Sequence, residues 1–232
     1  MSWFDSARFA NWIANGQPTG AQSSTTTENG AYNVNGATSG NAPAKNVTNP
    51  NTSAAPTLFI PNENEWYKAA YFDPTLNSGS GGYYTYATQS NATPDNQIGS
   101  GTNQATYAPG GVYSVTQSSS YSSSQNYLTD VGAFSGSGSF YGTFDQSGNV
   151  FQWNDLDGTS GSSRGVRGGA WSYIAVYLSS SNGNTSAASF GVINLGFRLA
   201  SPVAVPEPST WVMGLAGIAC GGWQVFRRRK QA

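Results

Sequence analysis

The 232-residue chain contains no histidine and a single cysteine. No intrachain disulfide can form. Zinc sites built on Cys and His are excluded, as are a histidine-based triad and a His-ligated iron site. The lone Cys220 lies in an apolar run near the C-terminus, where it reads as a small hydrophobe, not a reactive thiol. Charge is scarce too, at 9% of residues, and the net charge of −1 hides an asymmetry. Setting aside Arg227, Arg228, Arg229 and Lys230 from the 10 basic residues leaves 6 against 11 acidic, a body of net −5. Such a body carries no electrostatic footprint for nucleic acid.

Aromatic residues reach 13%, enough to support a buried core, and 29 glycines point to loops and tight turns. Three stretches carry the apolar signal: Phe144 to Trp153, Arg164 to Trp171, and Gly196 to Ala200. Trp153, Trp171 and Phe197 are core candidates. Gly148, Gly168 and Gly169 suit points where backbone passes close to backbone. Arg167 and Arg198, inside otherwise apolar strands, read as core struts that bond loop carbonyls or a carboxylate. Asp145, Asp155 and Asp157 lie near one strand, but proximity in sequence is poor support for paired acid–base work.

Ser2 to Asn15 reads as a helix with Ser2 as N-cap, Asp5 in the first turn and Gly16 as its stop. Phe9, Trp12 and Ile13 give it one apolar face at helical spacing. Thr57 to Ile60 reads as a short strand ended by Pro61. Asn62 and Glu65 form a capping-box pattern for a second helix that runs to about Phe72 and stops at Asp73-Pro74. Its buried side is Trp66, Ala69, Ala70 and Phe72, with Tyr67 and Tyr71 also assigned to the core. Gln17 to Pro56 is polar loop, with a small strand and turn at Ala31 to Gly36. Leu76 to Asp130 is the most polar stretch. Its scattered tyrosines are expected to pin a long loop onto the body, although their setting among Ser, Gly and Asn also suits binding loops.

The motifs GNVFQW, RGVRGGAW and GFRLA, in that order, resemble the C-terminal half of the formylglycine-generating enzyme, or sulfatase-modifying factor, family. Upstream, IPNENEWYKAAYFDP resembles that family's P-(S/T)-E-x-E-W-E-x-A helix, and SWFDSARFANW its V-x-W-x-D-A-x-x-F-x-x-W segment. The resemblance runs from Ser2 to Ala200 and implies an α+β, loop-rich, C-type-lectin-like fold with short strands and two helices. The family places a strand-rich segment before the first helix, whereas Met1 sits directly on it here. Upstream coding sequence is therefore expected to supply a signal peptide and the first strands.

Residues 201–209 read as a linker with the motif Pro206-Glu207-Pro208, and residues 210–232 as a transmembrane helix with a basic tail. The apolar run from Trp211 to Phe226 would span about 24 Å as a helix, short of a hydrocarbon core of roughly 30 Å, a gap that snorkelling arginines or local thinning can close. The cluster Arg227, Arg228, Arg229 and Lys230 places the C-terminus on the cytoplasmic side. This tripartite end resembles the PEP-CTERM sorting signal of Gram-negative bacteria. That resemblance implies an exosortase-type processing partner, an inner-membrane anchored precursor, and a final place in the cell envelope or at the surface.

The family's oxidase chemistry implies copper held by two cysteines between the RGG-W and GFR strands, because soft thiolates suit Cu(I). The matching segment, Ser172 to Leu195, contains no cysteine, so no copper is expected. The family's calcium site, transferred by position, implies Asp145, Gly148, Val150 and Gln152 as ligands, with Gln152 in place of the usual Glu. Trp153-Asn154-Asp155 spells the W-N-D triplet of sugar-binding C-type lectins but has no E-P-N or Q-P-D partner, which favours coincidence. The expectation is an exported, surface-associated, non-catalytic domain. Its role would be binding or structural, in the envelope or exopolysaccharide matrix, with a glycan or envelope protein as partner. The alternatives are an active enzyme of the family with non-standard site residues, and a Ca²⁺-dependent lectin-like glycan binder.

Overall fold

Helix α1 (Trp3–Ala14) begins where its caps dictate. The Ser2 side chain accepts from the Asp5 N–H, and the Asp5 carboxylate accepts from the Ser2 N–H, closing a capping box. The face it buries is Trp3, Phe4, Ala7, Ala10 and Asn11, not the expected Phe9, Trp12 and Ile13. Phe9 is 43% exposed, and its ring rests against Phe197 at 5.4 Å and Trp12 at 5.7 Å. The physical reason is size and polarity together. Two alanines let the helix lie close on the core, and buried Asn11 is satisfied by the backbone of Thr27 and Tyr32. The core that receives α1 comes from downstream: Tyr32, Phe59, Ile60, Phe151 and Trp153.

Helix α2 (Glu63–Tyr71) starts from the expected capping box, with Asn62 and Glu65 bonded reciprocally. It buries Trp66, Ala70 and Tyr71, while Tyr67 is half-buried against them. The Tyr71 hydroxyl donates to the Leu178 carbonyl at 3.1 Å and so ties α2 to the 172–195 segment.

Strands are short. β1 (Phe72–Asp73) and β2 (Gly82–Tyr83) form a minimal antiparallel pair. The main sheet holds β3 (Phe151–Asn154), β4 (Ser163–Arg167), β5 (Asn184–Ala187) and β6 (Leu195–Gly196) in the order β5-β4-β3-β6. β3 and β4, and β4 and β5, are antiparallel, whereas β3 and β6 are parallel. All four residues of β3 are buried, so this strand is the axis of the domain. The strand expected over Thr57 to Ile60 contracts to one bridge, Phe59 with Ala200, because its remaining partners are loops. Trp153 is fully buried and Trp171 8% exposed, while Phe197 packs half-buried at the edge of the core.

The long polar loop is pinned by tyrosine rings, as expected for Tyr86, Tyr107 and Tyr127, each at most 8% exposed. Tyr127 stacks on Trp171 at 4.9 Å and 7°. Tyr83 and Tyr121 remain more than half exposed. The computed structural model describes residues 1–202, within which the fold is mixed α+β with few helices. The sorting motif, the apolar run, Cys220 and the basic tail lie outside the described residues. Among the described residues no helix is long and apolar enough to cross a membrane.

Candidate functional site

The turn expected to hold calcium is organised around Gln152. Its Oε1 accepts from Trp66 Nε1 at 3.0 Å and from Arg198 Nε at 2.6 Å. Its Nε2 donates to the Asp145 carbonyl at 2.6 Å. Indole and guanidinium are donors without acceptors, so the amide can take only this orientation. The oxygen that calcium would need is therefore already bonded twice, once by a cation. Asp145 spends Oδ2 on the Gly132 N–H at 2.8 Å. Asp145, Gly148, Val150 and Gln152 do not fit a calcium cage of six to eight oxygens in this arrangement. Arg198 also donates to the Phe144 carbonyl at 2.8 Å, and burial pulls its guanidinium down to about 10 while the Asp145 charge opposes the shift. It is a strut, as expected, although it lies just past the end of β6 and not inside a strand.

Arg167 is the second strut. It pairs with Glu63 and donates to the carbonyls of Ser180 at 3.1 Å and Asn182 at 2.7 Å. Glu63 also accepts from Asn154 Nδ2 at 2.6 Å. Asn154 is fully buried and Asp155 3% exposed, so the W-N-D triplet points inward and offers nothing to a sugar.

Asp155 is the centre of a further buried network, whose partners lie too far apart in the chain for any motif to announce. It accepts from Trp3 Nε1 at 2.7 Å and from the Tyr32 hydroxyl at 2.6 Å. Arg164 Nε faces it at 3.3 Å as an ion pair. The rest of the Arg164 guanidinium bonds the carbonyls of Ala42, Pro43, Gly161 and Ser163 and lies 4.7 Å over the Trp3 ring. Burial pushes the Asp155 carboxyl up to about 6 against the pull of Tyr32, Arg164 and Trp3. Asp157 is occupied separately, capping Thr159. The three aspartates therefore serve different structural tasks.

A cavity that can take a ligand lies elsewhere, between the sheet and the 172–195 segment. It has a volume of about 530 Å³, within the range of roughly 300–1,000 Å³ typical of small-molecule sites. Phe151 and Val166 on the sheet form its floor, with Tyr173, Tyr177 and Phe190 as walls. The floor and wall rings meet edge to face: Phe151 with Tyr173 at 4.9 Å, and Tyr173 with Tyr177 at 4.9 Å. Asn184, Thr185, Ser186 and Asn194 supply the polar lining, and no lining residue is charged. Ser179 Oγ and Ser181 Oγ, in the same segment, lie 2.9 Å apart and bond each other. Nothing in sequence separated Asn184 or Asn194 from the many other asparagines of the chain.

Residues 1–203 match the model of the sulfatase-modifying factor enzyme 1-like domain, and the chain belongs to that family. Similar solved structures include CarF (19% identity, 88% of this chain and 66% of that one, TM-score 0.47). Two others are variable protein 1 of Treponema denticola (25%, 63% and 48%, 0.39) and PvdO from Pseudomonas aeruginosa (20%, 63% and 53%, 0.37). The chain thus spans between 48% and 66% of those structures' own lengths. No curated protein matches the sequence.

Proposed function

We propose that this chain is an exported, surface-associated member of the family that binds, or has a structural role, and does not catalyse. One observation carries the reading. The segment that should present two thiolates instead lines an open cavity with neutral hydroxyl, amide and aromatic groups, and has no cysteine between Ser172 and Leu195. Serine hydroxyls stay protonated at neutral pH and are hard oxygen ligands, so they do not substitute for thiolates toward Cu(I). A scaffold outlives its chemistry when its core is held by other residues. Here Trp153, Arg167 and Arg198 hold it without cysteines. The test is purified protein with Cu(I), oxygen and a sulfatase-type cysteine peptide, followed by mass. The expected result is an unchanged thiol peptide. Aldehyde formation above a no-protein control overturns the reading.

The tail supports the location. Pro206-Glu207-Pro208, then an apolar run, then Arg227 to Lys230, is the order of a sorting signal read by an exosortase-type enzyme at the membrane. Full-length protein should fractionate with membranes, and a version ending at Ser201 should be soluble. In a host with exosortase, the membrane form should be transient and cut near the Pro-Glu-Pro. Unaltered processing after replacement of all three residues would reduce the tail to a plain anchor.

A further inference from the structure

The cavity over the β3–β5 face has polar groups that the protein itself does not use. The side chains of Asn184, Thr185, Ser186 and Asn194 make no hydrogen bond among the described residues, and neither do the hydroxyls of Tyr173 and Tyr177. Asn11, Asn49 and Asn51 show the other use of such groups, each bonding two or more partners to close loops. Thr185 points to the opposite face of β5 from Asn184 and Ser186, so five unengaged donor–acceptor groups surround the aromatic-walled cavity and leave hydrogen-bonding capacity to solvent or a ligand.

We propose that this cavity is a calcium-independent site for a neutral saccharide, a proposal that rests on the binding reading above. Each hydroxyl and amide side chain in the lining both donates and accepts, which matches a polyol, whose every oxygen does the same. Aromatic walls, including Phe190 at 49% exposure, take the apolar C–H face of a sugar ring while the rim meets its hydroxyls. An anionic sugar or phosphate would enter without a lysine or arginine to receive it, and a cation without a carboxylate. A purely apolar ligand would strip water from the amides and leave them unpaired. Calcium has no part in the site, because the cavity lining offers no carboxylate.

The experiment is affinity electrophoresis of the full-length chain in a polyoxyethylene detergent. Native gels are cast with a mannan, a β-glucan, a xylan or a galactan, and with alginate as the anionic control. At least one neutral polymer should retard the protein, EDTA should not release it, and alginate should have no effect. The exposed positions permit variants that keep the fold, checked by an unchanged melting temperature. Asn184→Ala with Ser186→Ala, and separately Phe190→Ala, should each weaken retardation at least tenfold. No retardation by any neutral polymer overturns the proposal, as does retardation that EDTA abolishes. Retardation that survives both variants also overturns this site while leaving the domain a binder. Aldehyde in the copper assay would instead bring down the binding reading itself.

Discussion

Arg164→Met should cost about 3–5 kcal/mol of stability at neutral pH, the usual penalty for breaking a buried ion pair from one side. The substitution leaves the Asp155 carboxylate buried beside a thioether and strands the carbonyls of Ala42, Pro43, Gly161 and Ser163 that the guanidinium joins. Burial already holds the Asp155 carboxyl up to about 6 with its cation present. A carboxyl raised in the folded state favours folding while it is protonated. That contribution is complete below the unfolded value near 4 and lost as pH rises through about 6. Removing Arg164 pushes the carboxyl higher still. Urea midpoints should therefore show the variant's deficit shrinking from pH 7 to pH 5, where Asp155 takes a proton. Asp155→Asn should be milder, since the arginine keeps four carbonyls and one amide oxygen remains for Trp3 or Tyr32. A deficit independent of pH, or an asparagine variant worse than the methionine one, would contradict this account.

Gly148→Ala should cost about 4 kcal/mol or more, at the far end of single substitutions. Gly148 has φ +81°, and an added Cβ would stand 1.9 Å from the Thr106 carbonyl oxygen and 2.7 Å from its carbon. Those atoms belong to backbone that cannot swing aside. The Thr106 carbonyl also receives the Asn149 N–H at 2.9 Å, and Gly148 N–H donates to Gly168 at 2.6 Å. The long polar loop meets the sheet here, so relief of the clash would separate the two. Gly158 is the control, with nearly the same φ of +82° and nothing within 4 Å of its Cβ. Gly158→Ala should lose only about 1–2 kcal/mol, the strain of the left-handed region. Equal losses at the two positions, read from thermal melts, would show that the contact with Thr106 is unimportant.

Local chemistry was legible in sequence. Ser2 with Asp5 and Asn62 with Glu65 mark helix starts because a cap is complete within four residues. The close approaches at Gly148, Gly168 and Gly169 were also legible, because few other residues fit there. The buried face of α1 was not. Large apolar residues at helical spacing drew attention to Phe9, Trp12 and Ile13, while closeness to the core selects Ala7 and Ala10 and tolerates a satisfied Asn11. The role of Gln152 escaped for a different reason. Its oxygen is claimed by Trp66 and Arg198, 86 and 46 residues away, and no motif spacing encodes that convergence. The lining of the cavity is ordinary Asn, Thr and Ser in a chain full of them. Their gathering beside the rings of Tyr173, Tyr177 and Phe190 sets them apart, and only the fold shows it.

The parallel pairing of β6 with β3 also governs when the domain can close during synthesis. The Trp3 N–H reaches the Ala188 carbonyl at 3.0 Å, Phe151 takes its partner from Asn194, and Phe59 and Ala200 bond each other. Each of these closures waits for residues between 188 and 200. A chain made from its N-terminal end holds Trp3 and Trp153 without the final members of their core cluster, Ala188 and Leu195, until the last strand has emerged. Such non-local pairing slows folding, and the nascent domain stays open along nearly its whole length. That delay keeps the chain pliable until the GFRLA segment arrives, and this segment acts as the latch.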